Sequence, residues 1–203
     1  MFEYPKIDSI WKRDNRGVFL DIYSTPEIEY LKDAPWSWAE KVDGTNIRVF
    51  SWEGSEPIFR GRTDQAKIPL YLFDRLSEIF PRFVKDKAPP GTILFGEGYG
   101  AKIQKGGGNY KSDGCDFVLF DVFIENCWMA RESLEDIASK LNLAIVPIVG
   151  VGTLEEASIA VKEGITSTWG NFPMEGLVLK PTVELRNRIG NRIITKVKGK
   201  DFR

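Results

Sequence analysis

The sequence predicts an α+β fold in which antiparallel β-sheets pack against helices. The first observation is a set of strand-like runs rich in β-branched and aromatic residues, at Ile47–Trp52, Thr92–Gly96, Asp116–Ile124, Leu177–Lys180 and Arg192–Val197. The second is that helical crossovers do not join most of these runs, so a parallel sheet is not expected. The third is size, because 203 residues with 42% apolar content can bury a core.

Helical signals occur in three segments. Leu134, Ile137, Ala138 and Leu141 follow the i, i+3, i+4, i+7 spacing of an amphipathic helix. Thr153–Glu156 has the residues of a capping box, which predicts that a helix begins there. A further helix is predicted over Leu70–Phe83.

Composition excludes several classes of protein. The chain has no histidine, which excludes Ser-His and Cys-His catalytic pairs and the usual zinc sites. Its two cysteines, Cys115 and Cys127, are too few for a disulfide framework and fit a reducing cytoplasm. We see no membrane-spanning run and no secretory signal, and we expect a monomeric protein of the cytoplasm. Basic residues concentrate between Lys180 and Arg203, where we expect any nucleic-acid contact despite a net charge of −1.

Two glycine-rich segments imitate nucleotide-binding loops. Gly150-Val151-Gly152 lacks the third glycine of a dinucleotide-binding turn and has Glu155 there, so it is predicted to be a strand-to-helix turn. Gly106-Gly107-Gly108 is not followed by Gly-Lys-Ser/Thr, and we predict a mobile surface loop.

Lys41 is the main candidate for chemistry. It lies in Glu40-Lys41-Val42-Asp43-Gly44-Thr45-Asn46, and a lysine can attack phosphorus as the neutral amine. Lys-x-Asp-Gly alone is a weak signal. It also fits a β-turn at Asp43-Gly44 that reverses the chain between Trp38–Lys41 and Ile47–Phe50.

The segment around Lys41 resembles motif I of the covalent nucleotidyltransferases, which comprise ATP-dependent DNA and RNA ligases and GTP-using mRNA capping enzymes. Further matches over almost the whole chain favour the RNA ligase 2-like, nick-sealing branch. They are Gly61-Arg62-Thr63, Phe95-Gly96-Glu97, Ile103-Gln104-Lys105, Asp116–Asp121, Glu175–Pro181, Leu185-Arg186-Asn187 and Lys196-Val197-Lys198. Asn46 also matches that branch. Asp43 departs from it, since RNA ligases of that branch can carry His at this position.

The resemblance implies a role for each matching residue. Lys41 forms a lysyl–AMP phosphoramidate. Glu97 accepts a hydrogen bond from a ribose hydroxyl, and Arg62 contacts a phosphate or the nucleic-acid end; the alternatives are surface charges. Phe120 stacks on the purine, although a strand phenylalanine also fits a core. Glu40 and Asn46 belong to the same nucleotide site.

Metal and phosphate binding are implied for the remaining matches. Asp121 and Glu175 are the candidate ligands of Mg²⁺ or Mn²⁺, with a structural partner role as the alternative for Asp121. Lys180, Lys196 and Lys198 are implied to bind phosphate. Lys196 and Lys198 are two residues apart on a predicted strand, so both face the same side. That pattern also fits a solvent-facing strand.

The resemblance as a whole implies an ATP-dependent RNA ligase. Such an enzyme seals 3′-hydroxyl and 5′-phosphate ends of nicked or broken RNA through lysyl–AMP and an adenylylated 5′ end. We expect residues 1–203 to form one nucleotidyltransferase (adenylation) domain, ATP-grasp-like in fold. We expect no C-terminal nucleic-acid-binding module, so a separate nucleic-acid-binding partner could be needed. The alternatives are a DNA ligase, a GTP-dependent capping guanylyltransferase and a non-catalytic nucleotide- or RNA-binding module.

Overall fold

The computed structural model describes residues 2–50, 56–80, 89 and 91–202. Trp52 and Phe83, the predicted ends of one strand and one helix, lie outside the described residues. The chain divides into two compact units. Unit one comprises residues 1–5 and 43–146, and unit two comprises residues 6–42 and 147–203.

Unit two is built on a five-stranded sheet with the order β1-β13-β12-β4-β11. Neighbouring strands are antiparallel except β1 and β13. Its elements are β1 Asp8–Ser9, β2 Trp11–Arg13, β3 Phe19–Tyr23, α1 Pro26–Tyr30, β4 Trp36–Glu40, β11 Ile148–Gly152, α5 Leu154–Glu163, β12 Gly176–Pro181, β13 Thr195–Lys198 and a 3₁₀ turn Gly199–Phe202. Alternate residues of β12 and β13, including Leu177, Leu179 and Val197, pack with residues of α1 and α5 in one core.

Unit one is built on a second sheet with the order β10-β8-β7-β5-β6, with β9 paired to β8. The β8–β10 pair is parallel, and the other pairs are antiparallel. Its elements are β5 Thr45–Phe50, β6 Ile58–Gly61, α2 Leu70–Ile79, β7 Ile93–Gly100, α3 Gly107–Tyr110, β8 Cys115–Ile124, β9 Cys127–Trp128, α4 Arg131–Leu141 and β10 Ala144–Ile145. α2 and α4 supply Leu72, Leu76, Leu134 and Ala138 to a core on one face of this sheet.

The structure confirms the α+β prediction and the local helix signals. The Thr153 side chain accepts a hydrogen bond from the Glu156 amide, and the Glu156 side chain accepts one from the Thr153 amide, so the capping box is complete. Gly150-Val151-Gly152 leads from a strand into this helix, although its residues belong to β11 and do not form the predicted turn. No helix in the described part of the chain is long and apolar enough to cross a membrane.

Three other local predictions were wrong. Asp43-Gly44 does not close a hairpin, because β4 and β5 belong to different sheets. β7 continues to Gly100, so Glu97 lies within the strand and not at its end. Gly96, the predicted end of this strand, lies within it, and a Cβ there would lie 2.1 Å from the Phe117 ring.

The third error concerns Gly106-Gly107-Gly108, which forms a short helical turn with α3 where a loop was expected. The Gly106 amide donates a hydrogen bond of 3.0 Å to Asp43 Oδ2. A Cβ at Gly107 would lie 2.2 Å from the Gly100 carbonyl oxygen. Close backbone packing therefore explains why glycines occur here, which periodicity alone does not reveal.

Candidate active site

Lys41 directly follows β4 in unit two. Its backbone amide donates to the Gly176 carbonyl oxygen at 2.9 Å, so the start of β12 fixes its position. Its Nζ lies 2.5 Å from Glu175 Oε2, and 21% of its side chain is exposed. The candidate nucleophile is therefore held in an ion pair that solvent still reaches.

Glu175 lies between two lysines. Its Oε2 contacts Lys41, and its Oε1 lies 2.6 Å from Lys198 Nζ. Burial alone would raise the pKa of Glu175. The charges and hydrogen bonds of Lys41 and Lys198 outweigh it and hold that pKa below the ordinary value. Glu175 is thus an anion that orders two cations.

Lys196 and Lys198 lie on the same side of β13, as predicted from their spacing. Thr195 and Val197, which alternate with the two lysines along the strand, are buried, whereas both lysines are partly exposed. Lys196 is paired across the sheet with Val178, and Lys180 lies two residues further along β12 on the same face. We call this side of the sheet, with Lys41 and Glu175 at its edge, the lysine face.

Positive charge on the lysine face affects Lys196. Burial of its ammonium lowers the pKa of Lys196, and the nearby charges of Lys198 and Lys41 lower it further. Holding the Lys196 ammonium near Lys198 and Lys41 therefore costs free energy in the protein without ligand. An anion such as a phosphate would relieve that cost.

Glu40 is buried at the end of β4, with 1% of its surface exposed. Its Oε1 accepts a hydrogen bond of 2.6 Å from Ser167 Oγ. Its Oε2 accepts bonds from the amide and the hydroxyl of Thr168, at 3.0 and 2.9 Å. All of these contacts lie within unit two, and they tie the segment at Ser167 and Thr168 to the end of the strand that precedes Lys41.

In unit one, Asn46 and Glu97 are directly opposite each other on β5 and β7. Their side chains share the face of the sheet opposite the helical core. Asn46 Oδ1 is buried and has no hydrogen-bond partner within the described residues. A buried acceptor without a partner is uncommon and needs an explanation, which a bound hydroxyl or amine would supply.

Gly44 allows the chain to approach this pair closely. A Cβ at that position would lie 2.3 Å from the Gly98 carbonyl oxygen and 2.7 Å from Glu97 Cγ. The glycine that suggested a turn therefore permits close packing beside Glu97.

Phe120 is the extra residue of a β-bulge. Gly96 is paired with Leu119 and Phe95 with Asp121, which leaves Phe120 without a partner in the ladder. Its half-buried ring meets Tyr4 edge-on, with centroids 5.1 Å apart. Bulges redirect side chains and are common beside active sites, and this one was not predicted from the sequence.

Asp121 is 2% exposed and accepts a hydrogen bond of 2.6 Å from the Tyr4 hydroxyl. This contact favours the structural alternative for Asp121 over metal binding. Within the described residues, no group of three or more His, Cys, Asp or Glu side chains could hold a metal ion. Glu175 still fits one, because Mg²⁺ is often bound by one carboxylate together with substrate phosphates.

Arg62 is exposed just after β6, and sequence reasoning missed the residue that fixes its surroundings. Arg48 is fully buried and donates to the Gly61 and Phe2 carbonyl oxygens and to Asp64 Oδ1, at 2.7, 2.9 and 2.8 Å. It therefore holds the chain on both sides of Arg62. The position of Arg48 between the apolar strand residues Ile47 and Val49 could have indicated a buried arginine. That pattern does not show which groups accept its hydrogen bonds.

Comparison with known proteins decides the family. A profile of the RNA ligase family matches residues 34–198. The chain belongs to the RNA ligase family. The matched span runs from just before β4 to the end of β13 and includes every candidate site residue. No curated protein sequence matches the chain.

Solved structures show the same fold. Naegleria gruberi RNA ligase with PPi is 20% identical with a TM-score of 0.68, and the match covers 98% of this chain and 62% of that one. An archaeal ATP-dependent RNA ligase is 18% identical with a TM-score of 0.66, over 98% and 49% of the two chains. A putative ATP-dependent DNA ligase from Aquifex aeolicus is 21% identical with a TM-score of 0.65, over 97% and 50%. This chain therefore spans less than two thirds of each of these proteins.

Proposed function

We propose that this protein is an ATP-dependent RNA ligase that joins a 3′-hydroxyl to a 5′-phosphate through AMP bound covalently to Lys41. The observation that carries the proposal is the Lys41–Glu175–Lys198 arrangement in a chain of the RNA ligase family. A partly buried carboxylate between two lysines orders cations beside one another, which phosphoryl-type transfer requires.

Lys41 must leave its ion pair before it reacts. An ammonium in contact with a carboxylate is not a nucleophile, because its nitrogen lone pair is protonated. In the proposed step the ammonium gives one proton to solvent, and the neutral amine attacks the α-phosphorus of ATP. The nitrogen releases a second proton to solvent as the phosphoramidate forms. A nitrogen–phosphorus bond forms while the bond from phosphorus to the pyrophosphate oxygen breaks. Lys198 keeps Glu175 in position while Lys41 moves.

The lysine face supplies the charge for this step. Lys180, Lys196 and Lys198 would bind the phosphates and stabilise the negative charge that builds on the leaving pyrophosphate. Glu175 would hold Mg²⁺ or Mn²⁺, which when bound neutralises phosphate charge. Nucleotide binding would also relieve the cost of holding the partly buried Lys196 ammonium near Lys198 and Lys41.

The residues of unit one would bind the nucleoside and the nucleic-acid end. Asn46 and Glu97 offer acceptors to ribose hydroxyls, and the buried Asn46 Oδ1 supports this role because it has no partner within the described residues. Phe120 would stack on the purine, and Arg62 would contact a phosphate. These roles rest on the motif resemblance, as does the prediction that residues 1–203 form one adenylation domain.

Intact-mass spectrometry after incubation with ATP and Mg²⁺ tests the proposal. We expect the wild-type protein to gain one AMP that mild acid removes, and Lys41→Ala to gain none. Protein purified already adenylated would instead lose one AMP when pyrophosphate is added. No mass change in either experiment would refute the proposal, and preferential labelling by GTP would favour a capping enzyme.

A DNA ligase is the second candidate, because Asp43 departs from the RNA ligase branch and the Aquifex protein matches nearly as well. Nicked duplexes of RNA, DNA and mixed strands distinguish the two. Under our proposal, sealing requires RNA on at least one side of the nick. Efficient sealing of DNA alone would transfer the assignment to DNA ligase.

A further inference from the structure

The connection between β12 and β13 is much longer than its geometry requires. The two strands are antiparallel neighbours, and Leu179 and Thr195 form the last pair before the connection. Hairpin connections usually need about 2–5 residues. Here residues 182–194 make the connection, and we call this segment the arginine loop. Long ordered loops in compact units are commonly functional.

The arginine loop is ordered by its own residues. Near its base, Arg192 forms a two-pronged ion pair with Glu184, with Nε–Oε1 and Nη2–Oε2 distances of 2.6 and 2.7 Å. The Ile193 amide also donates to the Leu185 carbonyl oxygen at 2.9 Å. The base of the loop is thus held by both backbone and side-chain contacts.

The tip is fixed by Asn187. Its side-chain oxygen accepts hydrogen bonds from the amides of Ile189 and Asn191, at 3.2 and 2.9 Å. Gly190 has φ +85°, a conformation that favours glycine. The turn is therefore preorganised, which lowers the entropic cost of binding a ligand.

The side chains that this scaffold presents are two arginines and an isoleucine. Arg186 and Arg188 are exposed, and neither forms an ion pair within the residues that the structure describes. Glu184, the acidic residue of the loop, is already neutralised by Arg192. Ile189 between Arg188 and Gly190 is 76% exposed. The loop thus has a net positive tip with one apolar side chain.

We propose that the arginine loop binds the phosphate backbone of the nucleic-acid substrate through Arg186 and Arg188, with Ile189 against the sugars or bases. Arginine presents planar donors that match phosphate oxygens. In some nucleic-acid-binding proteins, an apolar side chain inserts between neighbouring base pairs. The loop begins two residues after Lys180, directly after the end of β12, and leads into β13, so it continues from the strands of the lysine face. This inference rests on the proposed function, because it names where the ligase substrate is held.

The test measures the affinity for a nicked RNA duplex by fluorescence anisotropy between ~50 and ~200 mM salt. In the Arg186→Gln/Arg188→Gln double variant, we expect about tenfold weaker binding. The slope of log K against log salt should be shallower by about 2, since each lost phosphate contact removes about 0.9. Ile189→Ser should weaken binding without changing the slope.

Arg16→Gln is the matched control. Arg16 also belongs to unit two but lies outside the arginine loop, and its side chain is 85% exposed. It should leave both affinity and slope unchanged. Intact-mass adenylation separates the two proposals. If the double variant still takes AMP and its slope equals the wild-type slope, the loop assignment is overturned while the ligase function stands. If the wild-type protein takes no AMP in either direction, the ligase function itself fails.

Discussion

The lysine face of unit two and the Asn46–Glu97 face of unit one differ in how their polar groups are satisfied. In unit two, Lys41, Glu175 and Lys198 are partners of one another, so the charges are arranged before any ligand binds. In unit one, Asn46 Oδ1 is buried without a partner in the described residues, and Phe120 lies outside the strand ladder. In unit two, the charged groups are therefore already paired before a ligand binds. In unit one, the Asn46 side-chain oxygen would gain its hydrogen-bond donor when a ligand binds.

The largest effect is expected from Glu175→Gln, which removes the anion that orders the lysine face. The rate of adenylation should fall about 10²–10³-fold, because the two lysines lose the group that positions them. Glu163→Gln, at the exposed end of α5, is the control and should adenylate at the wild-type rate. Quench-flow or time-resolved mass spectrometry gives the rates, and equal rates would contradict the assigned role.

Glu175 also predicts a pH dependence of stability. Its pKa is lower in the folded protein than in the unfolded chain, so its contribution is present above the ordinary value of 4.5. That contribution should be lost as pH falls through the lowered folded pKa. Urea unfolding of wild type and Glu175→Gln should therefore converge as the pH falls below 4.5. A difference that stays constant with pH would exclude the linkage.

The largest loss of stability in unit one is expected from Arg48→Met. The substitution removes the hydrogen bonds that Arg48 donates to two carbonyl oxygens and to Asp64. We expect a loss of about 3 kcal/mol in the free energy of unfolding. Arg60→Met is the matched control on the paired strand, because Arg60 donates to one carbonyl oxygen, that of Phe59. Its cost should stay below about 1 kcal/mol. Similar values for both variants would show that Arg48 has no special structural role.

Asn46→Ala sharpens the comparison, because its effect should appear when nucleotide binds. The free protein should keep its wild-type melting temperature, since the buried oxygen has no described partner to lose. Affinity for ATP should fall about tenfold, which corresponds to about 1.4 kcal/mol. Calorimetric titration with ATP measures this. An unchanged affinity together with a lower melting temperature would make Asn46 a structural residue.

The smallest effect concerns Lys196→Met, which should stabilise the free protein slightly at pH 7 while it slows adenylation. The folded protein binds the Lys196 proton less tightly than the unfolded chain does. Wild-type stability should therefore rise as pH rises from the lowered folded pKa towards the ordinary value of 10.5, and the advantage of the variant should disappear there. Urea unfolding at neutral and alkaline pH provides the check. A variant less stable than wild type at pH 7 would contradict the prediction.

Local patterns in the sequence were enough to predict several features. The spacing of Lys196 and Lys198 placed both on one side of a strand, and Thr153–Glu156 marked the start of a helix. The order of the motifs around Lys41 indicated the family that the profile match then showed. These features depend on residues within a few positions of one another, where strand alternation and capping geometry act directly.

Tertiary structure decided the features that depend on distant partners. Asp121 is buried, and its carboxylate accepts a hydrogen bond from Tyr4, which is 117 positions away. Arg48 is satisfied by groups 13, 16 and 46 positions away. The bulge at Phe120 arises where β7 and β8 pair out of register. A pattern in one segment specifies which side of the strand or helix a residue faces, but packing between segments decides its partner. The sequence alone therefore predicted the fold class and the shared side of Lys196 and Lys198. It did not predict the contacts of Asp121, Arg48 and Phe120.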